Sequence, residues 1–178
     1  MNRALILLLI AGISFSADLS KLVKEYQKKN YRYVCLQGAK EFNKLKKDPD
    51  LITMYAFSCL NIDKIDRLSV PIIFLKNSPE QRKNRAYFSL ILAQKNLLTS
   101  ALFDGEKFDG LSVPNSDHII SRVFNLFFNK KYKLNNNRYN MKDAFGSYTL
   151  YKEKKKGREV LVIEEKKNDG KKIIHYYR

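Results

Sequence analysis

The chain has 178 residues, 44% of them hydrophobic, with 34 Lys and Arg against 18 Asp and Glu, two Cys, two His and a formal net charge of +16. The apolar content excludes a disordered tail, and the length suits one ordinary domain or two small ones with a core. The charge fits an anionic partner or simply a lysine-rich solvated surface, and so few Cys and His leave little material for a metal centre.

The N-terminus has the three parts of a secretory signal. Met1-Asn2-Arg3 carries positive charge, Ala4 to Ile13 is apolar apart from Gly12, and Ser14-Phe15-Ser16-Ala17 offers small residues at the −3 and −1 positions. Cleavage is expected between Ser16 and Ala17. The apolar run is too short to span a bilayer, which takes ~20 helical residues. No Cys follows it, so a lipoprotein is not expected, and no later segment is long and apolar enough to cross a membrane. The expected location is periplasmic or secreted. The mature chain would be 178 less 16, or 162 residues, with a charge of +15 once Arg3 is lost.

Asp18 or Ser20 can cap a first helix with Leu19, Leu22, Val23 and Tyr26 at helical spacing. A second helix, from about Tyr31 to Lys46, places Val34, Cys35, Gly38, Phe42 and Leu45 on one face. Gly38-Ala39 lowers helix propensity, which predicts close packing of a neighbour there. Asp48 caps and Pro49 starts a third helix through Leu60. Asp63 to Leu75 is helix-like, but Pro71 forces a kink or break, with Ser69 able to cap a second piece. Ser78-Pro79-Glu80-Gln81 reads as a capping box opening a long helix to about Leu98, with Ala86, Leu90, Ala93 and Leu97 as its stripe. A loop follows from Ala101 to Ser116, and Ser116 can cap a last helix through Phe128.

After Asn129 the pattern changes. Residues 130–178 hold fifteen Lys or Arg and six Asp or Glu. Ser147–Lys152, Arg158–Glu165 and Lys172–Arg178 are β-like, with turns at Lys155-Lys156-Gly157 and Asn168-Asp169-Gly170. A fourth strand is expected near Tyr132–Leu134 or Arg138–Lys142. Val160–Ile163 suits a strand covered on both faces. The expected fold class is α+β: a signal over 1–16, helical hairpins over 17–129 and a basic antiparallel β-meander of three or four strands over 130–178.

Cys35 and Cys59 are the only cysteines, and an even count in an exported chain suggests a bridge. Cys35 lies 13 residues before the Asp48 cap and Cys59 lies 11 after it. In antiparallel helices of ~1.5 Å rise per residue the two come to nearly the same height, so a disulfide across the hairpin is expected. No CxxC and no nearby His favours zinc or redox chemistry instead.

Leu45-Lys46-Lys47-Asp48-Pro49 and Leu75-Lys76-Asn77-Ser78-Pro79 match loosely at a period of thirty, and Phe57-Ser58 and Phe88-Ser89 at thirty-one. Paired helices at such a period resemble the tetratricopeptide-like helical repeats over residues 31–98. The period is shorter than the ~34 residues usual for that family, only Gly38 and Ala56 hint at its small-residue pattern, and Pro71 falls inside a would-be helix. The resemblance implies a scaffold presenting a concave face to a peptide or protein, with Gly38, Phe42, Tyr55 and Phe57 near that face or under it.

Catalytic motifs are absent: there is no GxSxG, no Walker A and no HExxH. His118 beside Asp117 reads as a capping or surface residue, and His175 as a sheet-face residue. An acid–base role for either requires a buried carboxylate within hydrogen-bond reach. Asp104, Glu106 and Asp109 supply too few ligands for calcium in this order. The expectation is therefore a non-enzymatic protein-binding or scaffolding module without metal or cofactor, whose partner is an envelope protein. The alternative is a binder of anionic polymer or lipid through Lys152, Lys154, Lys155, Lys156, Arg158, Lys166, Lys167, Lys171 and Lys172. Export argues against nucleic acid, although the basic and aromatic interleaving on the strands is of the kind that can hold it.

Overall fold

The computed structural model describes residues 19–108 and 110–178. The expected signal, its Ser16–Ala17 cleavage site and the Asp18 cap lie outside the described residues, as does Asp109. The architecture is α+β, with seven α-helices followed by a five-stranded antiparallel sheet.

The helices are α1 over 19–27, α2 (Tyr31–Lys40), α3 (Phe42–Leu45), α4 (Pro49–Leu60), α5 (Ser69–Phe74), α6 (Pro79–Phe103) and α7 (Ile119–Phe128), with a 3-10 turn at Ile65–Leu68 before α5. The helix expected over 31–46 is split at Glu41, whose N–H still donates to Gln37 while its own backbone has left the helical range. Pro71 is accommodated because the break falls ahead of it. The chain passes from the 3-10 turn into α5, and Pro71 lies in the first turn of α5, where it interrupts no ladder bond. Ser69 is thus inside the helical run, and its hydroxyl donates to the Asp66 carbonyl.

Two helix starts repeat one device. The Asp48 carboxylate accepts from the N–H groups of Asp50 and Leu51, and the Ser78 hydroxyl accepts from Gln81 N–H, each with Pro at the first position. The Gln81 side chain accepts from Asn77 N–H, one residue outside the expected capping box. Shared capping chemistry accounts for the period of thirty at these two sites.

The disulfide joins α2 to α4, with the Cα atoms of Cys35 and Cys59 4.9 Å apart. One helical turn on, Gly38 faces Tyr55, so partners advance on one helix as they recede on the other, and the pair is antiparallel. A Cβ on Gly38 would lie 2.5 Å from Tyr55 Cδ2, which is the close approach that the sequence suggests. The α4 helix is buried on two sides. Met54, Tyr55 and Cys59 join Leu22, Val34 and Leu45 in a core around the disulfide, while Ile52, Ala56 and Leu60 join the main core.

The main core also takes Phe88, Ile91 and Leu98 from α6 and Ile120, Val123 and Phe124 from α7. This corrects the α6 stripe. Ala86 and Ala93 are exposed and Leu90 and Leu97 only partly buried, because the larger Phe88 and Ile91 side chains turn the inward face by about one residue. The helix also runs on to Phe103, past the expected end at Leu98. Gln94 Nε2 donates to the Pro114 carbonyl and ties the loop before α7 to α6.

The strands β1 (Lys133–Asn135), β2 (Arg138–Lys142), β3 (Gly146–Lys155), β4 (Arg158–Lys167) and β5 (Lys172–Tyr177) follow one another in spatial order, so the sheet is a plain meander. There are five strands where three or four are expected, because both candidate positions for the fourth strand are strands and pair with each other. Asn136 and Asn137 both have positive φ, at 48° and 58°, the pair of left-handed residues that a two-residue hairpin turn requires. Lys156 and Gly157 repeat it between β3 and β4. In β4, Val160, Leu161, Val162 and Ile163 are all buried, as their run of apolar residues predicts. One face of the sheet, with Met141, Tyr148, Leu150, Leu161, Ile163 and Tyr177, completes the main core, so the helical and strand regions share a single core.

Candidate functional site

Strand register divides the basic residues between two faces. The outer face, opposite the main core, carries Lys133, Arg138, Lys142, Lys155, Arg158, Lys166 and Lys172, all exposed, against two carboxylates, Glu153 and Glu164. Of the nine expected anion-binding residues, Lys155, Arg158, Lys166 and Lys172 lie on this face. Lys152, Lys154 and Lys167 alternate to the helix side, and Lys156 and Lys171 are in turns. Lys155 and Arg158 sit at one end of the β3–β4–β5 pairing and Lys166 and Lys172 at the other, ~26 Å away for eight residue steps along β4. Sequence reading missed Lys133, Arg138 and Lys142, since their faces follow only from pairing.

Between the two ends runs an aromatic and apolar row, Tyr151–Val162–Tyr176, with Val160 beside it. Arg138 stacks on Tyr151 at 3.7 Å and Lys155 on Tyr176 at 3.4 Å. The Glu164 carboxylate accepts from the Tyr151 hydroxyl at 2.8 Å and from Arg138 at 3.0 Å. Burial and the bond to Glu164 push the Tyr151 phenol up to about 12, and the same hydroxyl, more than any other contact, holds the Glu164 carboxyl below the usual range. The outer face thus holds two of its cations over aromatic rings.

The four helical candidates occupy different depths. Gly38 and Tyr55 are buried within the hairpin. Phe42 is half-buried, in contact with Tyr55 and Phe74, and Phe57 packs on Phe88 in the main core. Beside Phe42 and Phe74, α5 exposes Val70 and Ile73, at 40% and 64%, one turn apart.

A concavity of about 360 Å³ forms where the loop after α4, α6, the start of α7 and the β4–β5 hairpin meet. Both histidines line it, with Asp63, Tyr87, Asp117, Arg122, Glu165 and Lys167 among their neighbours. His175 Nδ1 lies 3.0 Å from each oxygen of Asp63, and its Nε2 is 3.8 Å from Glu165. The carboxylate within hydrogen-bond reach of His175 is Asp63, which is half-buried, while the buried Glu165 stands beyond that reach, so the buried acid–base contact asked of a histidine is met only in part. The residue before which α7 begins is His118 and not Ser116. His118 Nδ1 accepts from Ile120 N–H, which leaves the ring proton on Nε2, and Ser116 supports it by accepting from His118 N–H. Burial lowers the His118 pKa to about 4, against the pull of Asp63 and Asp117, so the ring is neutral at pH 7. His118 is therefore a cap, as its position suggests, and a half-buried one. Tyr87 donates to Asp117 at 2.9 Å, and burial raises its phenol pKa.

Among the described residues no group of three or more His, Cys, Asp or Glu is arranged to hold a metal ion, and no helix is long and apolar enough to cross a membrane. No protein-family model, curated protein or solved structure matches the chain.

Proposed function

We propose that this is an exported, non-enzymatic binding protein that holds an anionic envelope polymer or lipid surface on the outer face of its sheet. The observation that carries this reading is the register-defined concentration of seven exposed cations against two carboxylates on one face. Such a face gains affinity by neutralising phosphates or carboxylates and releasing their counterions, with the Tyr151 and Tyr176 rings fixing Arg138 and Lys155 in place. The disulfide is consistent with an oxidising compartment.

The test is co-sedimentation of the mature protein with vesicles containing anionic lipid and with a soluble anionic wall polymer, over a salt series. Binding should weaken steeply between about 0.05 and 0.5 M salt as the screening length contracts. Reversing two outer-face charges, in a Lys166→Glu/Lys172→Glu variant, should abolish it. Binding that ignores both salt and charge reversal would exclude this reading.

A second reading, a helical scaffold that docks an envelope protein, is favoured by the exposed Val70 and Ile73 beside Phe42. Gly38 and Tyr55 would then shape the hairpin from inside. Capture of a protein partner that persists in high salt and is lost in Ile73→Asp would favour this face over the sheet.

A further inference from the structure

The cavity that holds both histidines lies apart from the outer sheet face, and nothing in the proposed function uses it. We infer that it is a binding site for a small zwitterion, a ligand such as a short peptide with a free ammonium and a free carboxylate.

The cavity combines mixed charge with a space of small-molecule size. The cavity volume, about 360 Å³, lies at the lower end for such sites. On one side stand Asp63 and Glu165, the carboxylates that flank His175. On the other stand His118, with its proton on Nε2, the first turn of α7, and Arg122, with the Asp117 carboxylate beside the helix start engaged by the Tyr87 hydroxyl. The start of α7 adds positive potential to the Arg122 side. Arg122 is held by stacking on Phe145 at 4.1 Å. A purely anionic ligand would meet the Asp63, Asp117 and Glu165 carboxylates, and a purely cationic one would meet Arg122 and Lys167. A ligand carrying both signs satisfies both sides.

One buried polar atom of a residue lining the cavity, Nε2 of His175, has no hydrogen-bond partner. Behind the His175 ring stacks Tyr177, 1% exposed, with its hydroxyl turned toward Asp63. An unpaired buried group of this kind costs about 1–3 kcal/mol unless something else meets it. The ammonium end of a ligand, seated between Asp63 and Glu165, would bring hydrogen-bonding atoms to this corner.

The experiment uses the chain's having only two histidines. Alanyl-alanine is titrated into the exported protein while the imidazole proton signals are followed by NMR, with N-acetylated and C-amidated forms as controls. Both histidine signals should move together and saturate, and each blocked form should bind at least about tenfold more weakly, the loss of one charged hydrogen bond. Arg122→Gln should weaken the free dipeptide and leave the C-amide unchanged. Signals that stay still up to about 10 mM dipeptide, a bound already weaker than most specific sites, would overturn the inference. An equal response to the blocked forms would overturn it as well, and so would release of free alanine, which marks a catalytic site. The blocked forms need no variant, so the test stands even if Arg122→Gln fails to fold. None of these outcomes bears on the sheet face.

Discussion

His175 Nδ1 sits 3.0 Å from both oxygens of Asp63, a residue 112 positions earlier in the chain. This contact ties the end of the disulfide hairpin to the edge strand β5. Asp63 has a positive φ of 60°, a conformation that Asn tolerates as well as Asp does. Asp63→Asn therefore keeps the turn and removes only the charge. It should destabilise the fold by about 1–3 kcal/mol, seen as a lower urea midpoint with an unchanged slope. An unchanged midpoint would mean that this pair contributes nothing to stability.

The Cys35–Cys59 bridge closes a loop of 24 residues. Chain-entropy reasoning gives it about 3 kcal/mol. The protein recovered from the envelope should show no free thiol until reduced, and reduction should lower its thermal midpoint. Labelling of both thiols in the unreduced protein would contradict the pairing and weaken the case for export.

Gly38→Ala tests the helix contact. An exposed helical site would gain roughly 1 kcal/mol from this change. Here the new Cβ would meet Tyr55 Cδ2 at 2.5 Å, so the expected outcome is a loss of about 1–3 kcal/mol by overpacking. A stabilised Gly38→Ala protein would show that the hairpin can open to admit a methyl group.

His118 gives the stability a pH dependence. Its pKa is about 4 in the fold, because of burial, against an ordinary value of 6.5. The folded value is the lower one, so between these pH values the unfolded chain binds the extra proton. Stability is complete above pH 6.5 and falls as pH drops toward 4, by about 3 kcal/mol for a shift of this size. Asp63, Asp117, Arg122 and His175 also bear on the ring, so the measurement is the difference between the wild type and His118→Asn. Asn preserves the cap on Ile120 and removes the titration. Parallel pH profiles for the two proteins would contradict the burial argument.

Much of this molecule is local in origin. The caps at Asp48 and Ser78, the helical periodicities, the turn at Gly157 and the apolar run of β4 are short-range signals, and with the spacing of two cysteines they determine the order of elements and the bridged hairpin. The Asn136-Asn137 turn was equally available, since Asn is the residue after Gly that most readily adopts positive φ. Other features depend on how the elements sit in space. Which lysines share the outer face is decided by cross-strand register, because a shift of one residue exchanges the faces. The inward face of α6 is decided by which large side chains the sheet and α7 can receive. The cavity around His175 draws on the ends of α4, α7, β4 and β5, segments whose separation in sequence carries no periodic signal. Only the packing of helices on the sheet brings Asp63, His118, Glu165 and His175 together, since a shared core fixes the distance between elements that no local propensity relates.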